Sequence, residues 1–196
     1  MNIIEAKEVL KWAEKQNPGP WVLHSENVGK AAAKMASLTG LDEEKAAVYG
    51  LLHDIGRYKG PSAMMHIYDG YKFCLDRGEN ELAQICLTHS FPISNIDYYS
   101  GANDCSEDIY DEIRDYLNGC KYSDYDYLIV LCDSIALPEG VCLLEKRLVD
   151  VAMRHGIKDN TLKKWEKIFE IKNYFEDKMS KSIYEVFPES VEVTFI

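Results

Sequence analysis

Apolar residues recur every three or four positions through most of this chain, the spacing that one face of an α-helix requires. The first such segment runs from Ile3 to Gln16, and a second runs from Trp21 to about Thr39, where Gly40 is placed to end it. The tail from Val191 to Ile196 alternates like a strand, but a single strand has no evident partner. We therefore predict an all-α fold.

Further helices follow from the same spacing and from capping residues. Asp42 is a good N-cap for the third helix, and Ser62 is expected to cap the fourth. A long loop is predicted from Pro92 to Cys105. The remaining helices are predicted over about 42–54, 62–78, 80–89, 106–119, 124–136, 141–155 and 161–178.

Composition limits the class of partner. The formal net charge is −11, which disfavours a nucleic-acid polymer because that interface draws on clustered Lys and Arg. A small anionic substrate is compatible with this charge only if a metal or a few local cations reverse the field at the site. The sequence leaves open whether the chain forms a homodimer.

The cysteines and the apolar runs indicate a compartment. None of the six cysteines forms a CxxC motif, and several lie in apolar runs, where free cysteine behaves as a small core hydrophobe. No apolar run is long enough to span a bilayer, and the first residues have no basic segment followed by an apolar one. We expect a cytoplasmic protein with no membrane partner.

Six polar side chains stand near the ends or in the first turns of otherwise apolar helices. Helix ends can converge on one point without burying an imidazole or a carboxylate deep in hydrocarbon, where it would need a partner. Four of the five histidines belong to this set, and the fifth, His155, precedes Gly156 and is best explained as a helix cap. The set consists of His24, His53, Asp54, His66, His89 and Asp133.

Each member also has an ordinary explanation. His24 would be an exposed histidine at a helix start, His66 a hydrogen-bonded core residue, and His89 a helix cap. His53-Asp54 would be a chance pair that only forms hydrogen bonds or caps a helix. Asp133 is the hardest to explain in this way, because an ionised carboxylate that follows a run of apolar residues needs a partner. A neutral imidazole beside a carboxylate, as in His53-Asp54, suits a divalent transition metal.

The order of these residues resembles a known pattern. His24, then His53-Asp54, then Asp133 are similar to the H…HD…D pattern of the HD-domain metal-dependent phosphohydrolases. The run from Leu52 to Arg57, Leu-His-Asp-Ile-Gly-Arg, is close to the form that many members show. The resemblance implies a helical fold that brings these side chains together at one metal centre.

His66 and His89 extend the resemblance to the dinuclear members, which carry two extra histidines. The similarity covers about residues 20–140, and it implies an HD-type helical bundle there with extra helices at about 141–180. We interpret residues 1–196 as a single domain of this type.

The resemblance also implies which residues hold the metals. Asp54 would bridge two ions, with His66 and His89 completing one site and the other three members of the set completing the other. Asp54 and His53 are the expected catalytic residues. Mixed imidazole and carboxylate ligation favours iron or manganese, with zinc, cobalt and nickel also compatible, over magnesium.

Nearby cations and aromatic rings are candidates for binding the substrate. Arg57 and Lys59 follow the His-Asp pair, and Arg147 lies on a later helix. All three are candidates to hold phosphate oxygens, and the alternative is that they are solvated surface charges. Three loop aromatics are candidates to stack on a base, although ordinary packing also explains them: Phe91, Tyr98 and Tyr99.

The predicted reaction is hydrolysis of a phosphomonoester or phosphoanhydride by metal-activated hydroxide, with a nucleotide as the expected substrate. The chain is similar in size and histidine order to bacterial HD-type diadenosine tetraphosphate hydrolases. It departs from them after Asp133, where Ser-Ile-Ala-Leu-Pro-Glu-Gly has no basic residue. Two alternatives remain open: a di-iron HD-type oxygenase, and a module that binds a nucleotide without turnover.

Overall fold

The computed structural model describes all 196 residues, and it confirms the all-α prediction. Two 3-10 helices, Ile55–Lys59 and Ile96–Tyr98, and one short antiparallel hairpin, β1 (Ala136–Leu137) with β2 (Gly140–Val141), complete the fold. The α-helices are α1 (Ile3–Gln16), α2 (Trp21–Thr39), α3 (Glu43–Leu52), α4 (Met65–Leu75), α5 (Asn80–Thr88), α6 (Glu107–Gly119), α7 (Asp124–Ile135), α8 (Leu144–His155), α9 (Thr161–Met179), α10 (Ile183–Val186) and α11 (Ser190–Thr194).

Helices α2 and α3 pack closely enough that their backbones nearly touch. A Cβ on Gly50 would lie 2.6 Å from both the Cα and the nitrogen of Gly29. Only glycine permits this approach, because any side chain would overlap the neighbouring backbone. The contact matters for the site, since α2 carries His24 in its first turn and α3 ends immediately before His53.

The start of α4 differs from the prediction that Ser62 caps it. The helix begins at Met65, and no side chain at its N-cap position accepts a hydrogen bond. Asp104, from the long loop, accepts hydrogen bonds from the backbone nitrogens of Ala63 at 2.7 Å and Met65 at 2.8 Å. A distant carboxylate therefore satisfies the free N–H groups that a local cap would otherwise bind.

The core consists of one large cluster and a smaller one. The large cluster takes buried side chains from nearly every helix, including Ile168, Ile171 and Phe175 of α9. The C-terminal helices therefore pack against the bundle rather than standing apart from it. No helix combines the length and apolar composition needed to cross a membrane. The smaller cluster lies beneath the long loop and contains Met64, Ile67, Leu87, Phe91, Ile96, Ile113 and Leu117.

The tail forms a short helix, although its sequence alternates like a strand. Of the alternating apolar residues, only Val193 is buried, and it packs beside Gly140 of β2. Thr194 accepts a hydrogen bond from the backbone nitrogen of Leu143 at 2.9 Å. The tail does not pair with either strand of the hairpin, and it satisfies its backbone by helical hydrogen bonds instead.

Candidate metal centre

The structure brings the six predicted ligands together, and the first group joins α2, α3 and α7. Nε2 of His24 lies 2.9 Å from Oδ1 of Asp133, and Nε2 of His53 lies 3.9 Å from the same oxygen. One potential ligand atom from each residue lies within 4.8 Å of the others. These three side chains can therefore contact a single ion.

The second group surrounds Asp54, which follows α3. Its Oδ1 lies 3.1 Å from Nε2 of His66 and 3.4 Å from Nε2 of His89. Its Oδ2 lies 4.0 Å from Nε2 of His53, on the side of the first group. The two oxygens of one carboxylate thus face different histidines, the arrangement needed to bridge two ions.

Backbone carbonyls set the protonation of three of the imidazoles. The Nδ1 atoms of His53 and His89 lie 2.7 Å from the oxygen of Gly50 and 2.8 Å from that of Cys86. Nδ1 of His66 makes the same contact with a carbonyl three residues earlier. A carbonyl oxygen can only accept, so Nδ1 carries the proton and Nε2 presents its lone pair to the centre.

Two buried atoms at the centre have no hydrogen-bond partner: Nε2 of His53 and Oδ1 of Asp54. Because Nε2 of His66 is unprotonated, it faces Oδ1 of Asp54 as one acceptor against another. Buried polar atoms are normally satisfied, and a divalent cation would satisfy all of these lone pairs together. The donor set of imidazole nitrogens and carboxylate oxygens fits a transition metal.

Arg57 is inserted into the second group. It donates from Nε to Oδ2 of Asp54 at 2.5 Å and from Nη2 to Nε2 of His66 at 3.3 Å. Arginine has only donors, which agrees with the unprotonated Nε2 of His66. The guanidinium therefore occupies lone pairs that a cation at this position would need.

Burial and charge shift the titration of the centre. Burial lowers the pKa of His53 to about 4 and also lowers that of His66, where Arg57 adds repulsion. Burial alone would raise the pKa of Asp54, but the positive charge of Arg57 and the neighbouring histidines hold it well below its usual value. Hydrogen bonding to His24 likewise holds the pKa of Asp133 low although the carboxylate is partly buried. These shifts favour neutral imidazoles at His53 and His66 and ionised carboxylates at Asp54 and Asp133, the forms that bind metals.

A cavity of about 670 Å³ opens onto the centre. Five of the six candidate ligands line it, together with the long loop and side chains from α8 and α9. The loop is fixed beside it by Ile96 in the smaller core cluster and by a 2.7 Å hydrogen bond from Tyr122 to the carbonyl of Phe91. The volume is that of a small-molecule site.

Some of the candidate substrate-binding residues line the cavity and others do not. Arg57 and Arg147 line the cavity, whereas Lys59 lies outside its lining and pairs with Asp69 at 2.7 Å. Tyr98 and Tyr99 also line the cavity. Phe91 is fully buried in the core, so it cannot stack on a substrate base.

Two residues with roles near this site were not predicted, although the spacing Ser123-x-x-Asp126 ahead of an apolar run is typical of a capping box. Asp126, buried in the first turn of α7, accepts hydrogen bonds from Thr88 at 2.7 Å and from Gln84 at 3.0 Å, which ties α7 to α5. Lys164 lines the cavity from a helix that otherwise looks like a lysine-rich surface helix. Both depend on contacts between distant segments.

Comparison with protein families matches residues 22–152 to the HD domain. This chain belongs to the HD domain family. The matched range contains all six candidate ligands and most of α8. HD domains bind divalent metals, and the family belongs among the metal-dependent phosphohydrolases. Neither a search of curated proteins nor a search of solved structures found a match.

Proposed function

We propose that this HD-domain protein is a metal-dependent phosphohydrolase that cleaves a phosphomonoester or phosphoanhydride, with a nucleotide as the substrate. The observation that carries the proposal is the pair of buried, unpartnered atoms on His53 and Asp54 at the point where the other ligand atoms converge. A site built only to stabilise the fold would pair these atoms with donors.

The proposed ligands form two sets that share Asp54, with His66 and His89 in the second set. His24, His53 and Asp133 complete the first set. Iron or manganese is proposed because imidazole and carboxylate ligands suit them better than magnesium. When bound, divalent ions would acidify a water molecule and neutralise charge on phosphoryl oxygens.

Contacts within the protein fix the orientation of the proposed ligands. The backbone carbonyls of Gly50 and Cys86 orient the rings of His53 and His89, so that only Nε2 is free to bind. Asp54 supplies negative charge at the floor of the cavity, and its low pKa keeps it ionised throughout the neutral range. Arg57 lies against it and is proposed to contact phosphate oxygens with its forked donors.

The test combines elemental analysis of the purified protein with a phosphatase panel run with Mn, Fe, Co, Ni, Zn and Mg. We expect transition metal in the purified protein, and phosphate release from p-nitrophenyl phosphate or from a nucleotide. Asp54→Ala should lose both metal and turnover, whereas Asp69→Asn, a buried carboxylate paired with Lys59 outside the cavity, should keep its metal. Full metal content and turnover in Asp54→Ala would exclude the proposed bridge.

A further inference from the structure

The cavity is lined by a group of positively charged side chains as well as by the metal centre. Four cations from α8, α9 and the loop that joins them line it, and none forms an ion pair with a carboxylate within 4 Å. In a chain with a net charge of −11, this is a local reversal of sign. The four cations are Arg147, Arg154, Lys158 and Lys164.

The lysines of this group bind only neutral acceptors. Nζ of Lys164 donates to the carbonyl of Ser90 at 3.1 Å and to the hydroxyl of Ser100 at 2.9 Å. Lys158 similarly donates to loop carbonyls, of which Gly101 is the nearer at 2.9 Å. Neither ammonium therefore has a balancing anion, although a charged acceptor would bind it more strongly.

The arginines are also incompletely paired. Nε of Arg147 is buried and has no hydrogen-bond partner. Arg154 makes one weak contact of 3.4 Å with a backbone carbonyl, and burial together with the charge of Arg147 lowers its pKa. Besides the proposed ligands Asp54 and Asp133, two carboxylates line the cavity. Asp150 is already paired with Lys146 at 2.9 Å, so only Asp97 offers an unpaired negative charge.

We propose that Arg147 and Lys164 form an anion site beside the metal centre, which holds a second phosphate group of the substrate. This inference rests on the proposed phosphohydrolase function and narrows its substrate class to molecules with two or more linked phosphates, such as a nucleoside di- or triphosphate. Lys164 contacts Ser90, the residue directly after His89, so the anion site adjoins the proposed ligands. A monoester would leave these cations unpaired, and a phosphate chain would satisfy them.

The proposal is tested by calorimetry, which measures the binding of inorganic tripolyphosphate and of orthophosphate to the metal-containing protein. Arg147→Gln and Lys164→Gln should each weaken tripolyphosphate binding by about tenfold or more, since each removes a charge-assisted contact, and leave orthophosphate binding unchanged. Lys163→Gln, an exposed neighbour outside the cavity lining, should have no effect. Lys164→Arg should retain most of the affinity.

Kinetics separate this inference from the proposed function. The KM for a nucleoside triphosphate should rise by about tenfold or more in Arg147→Gln, whereas Lys163→Gln, outside the cavity lining, should leave that KM at the wild-type level. Unchanged tripolyphosphate affinity in folded Arg147→Gln and Lys164→Gln overturns the anion site even if the enzyme hydrolyses monoesters. Weakened affinity in a protein that hydrolyses no phosphate ester supports the anion site and rejects the enzyme.

Discussion

Asp54 accepts a 2.5 Å hydrogen bond from Nε of Arg57, three residues later in the chain. The same guanidinium also donates to Nε2 of His66, so one cation contacts two of the proposed ligands of the second ion. The single lone pair on Nε2 of His66 cannot bind a metal and accept from a guanidinium at the same time. Arg57 therefore competes with cation binding in the metal-free protein, by repulsion and by direct occupancy.

Removing this competitor should strengthen metal binding. We expect Arg57→Ala to bind Mn²⁺ about tenfold more tightly, the equivalent of one lost charge-assisted hydrogen bond. Titration calorimetry of metal-free protein measures this directly. Lys59→Ala is the matched control, because Lys59 pairs with Asp69 outside the cavity lining and its loss should leave the affinity unchanged. Equal or weaker binding by Arg57→Ala would show that the guanidinium supports the site instead.

The close approach of α2 and α3 at Gly29 and Gly50 should make Gly50→Ala destabilising. Alanine favours a helix over glycine by about 1 kcal/mol, but its Cβ would overlap backbone atoms of Gly29 that no side-chain rotation can move. We expect a net loss of about 1–3 kcal/mol in the free energy of unfolding by urea. Gly119→Ala, where a Cβ meets nothing within 4 Å, should be neutral or slightly stabilising.

The buried carboxylate of Asp126 should prove important for stability although it lies outside the centre. All of its neighbours are donors: Thr88, Gln84, and both the backbone nitrogen and the hydroxyl of Ser123. Asp126→Asn turns an amide towards those donors, and we expect a cost of about 2–3 kcal/mol, measured by urea unfolding. Mn²⁺ affinity should fall as well, because α5 and α7 lead into His89 and Asp133.

Asp124 provides the control for this experiment. It lies in the same turn of α7, is partly exposed, and pairs with Lys178 at 2.6 Å. An exposed pair contributes about 1 kcal/mol or less, so Asp124→Asn should be nearly neutral. If the two variants lose the same stability, the buried network does not fasten α7 to α5.

Local patterns were enough to predict most helices. Gly40 ends α2 with a φ of 76°, as its position predicted, and α9 lies within one residue of the expected range. The predictions that fail are those that depend on a distant partner. Ser62 does not cap α4 because Asp104 binds the free N–H groups there. The spacing of residues along the chain does not predict such a contact between distant segments.

At the candidate site, too, local patterns were predictable and contacts with distant partners were not. Six residues at helix ends were enough to predict a convergence, because apolar faces fix how the helices pack and the ends follow. The sequence could not show that Lys59 would turn to Asp69 or that Lys164 would face the cavity. A lysine on a helix has no periodic signal for its direction, since a long flexible side chain reaches several partners from one position.

The position of Lys164 should carry a cost in stability that depends on pH. Burial lowers its pKa to about 8 from 10.5. Between these two values the unfolded chain binds more protons than the folded chain, so the cost is complete below about pH 8 and disappears as the pH rises towards 10.5. At pH 7 we expect Lys164→Met to raise the free energy of unfolding by about 2 kcal/mol, after allowance for partial contact with water. Urea unfolding at pH 7 and pH 10 should show the gain shrinking at the higher pH, with Lys163→Met unchanged at both; a gain that is absent at pH 7 would mean that the ammonium is well solvated.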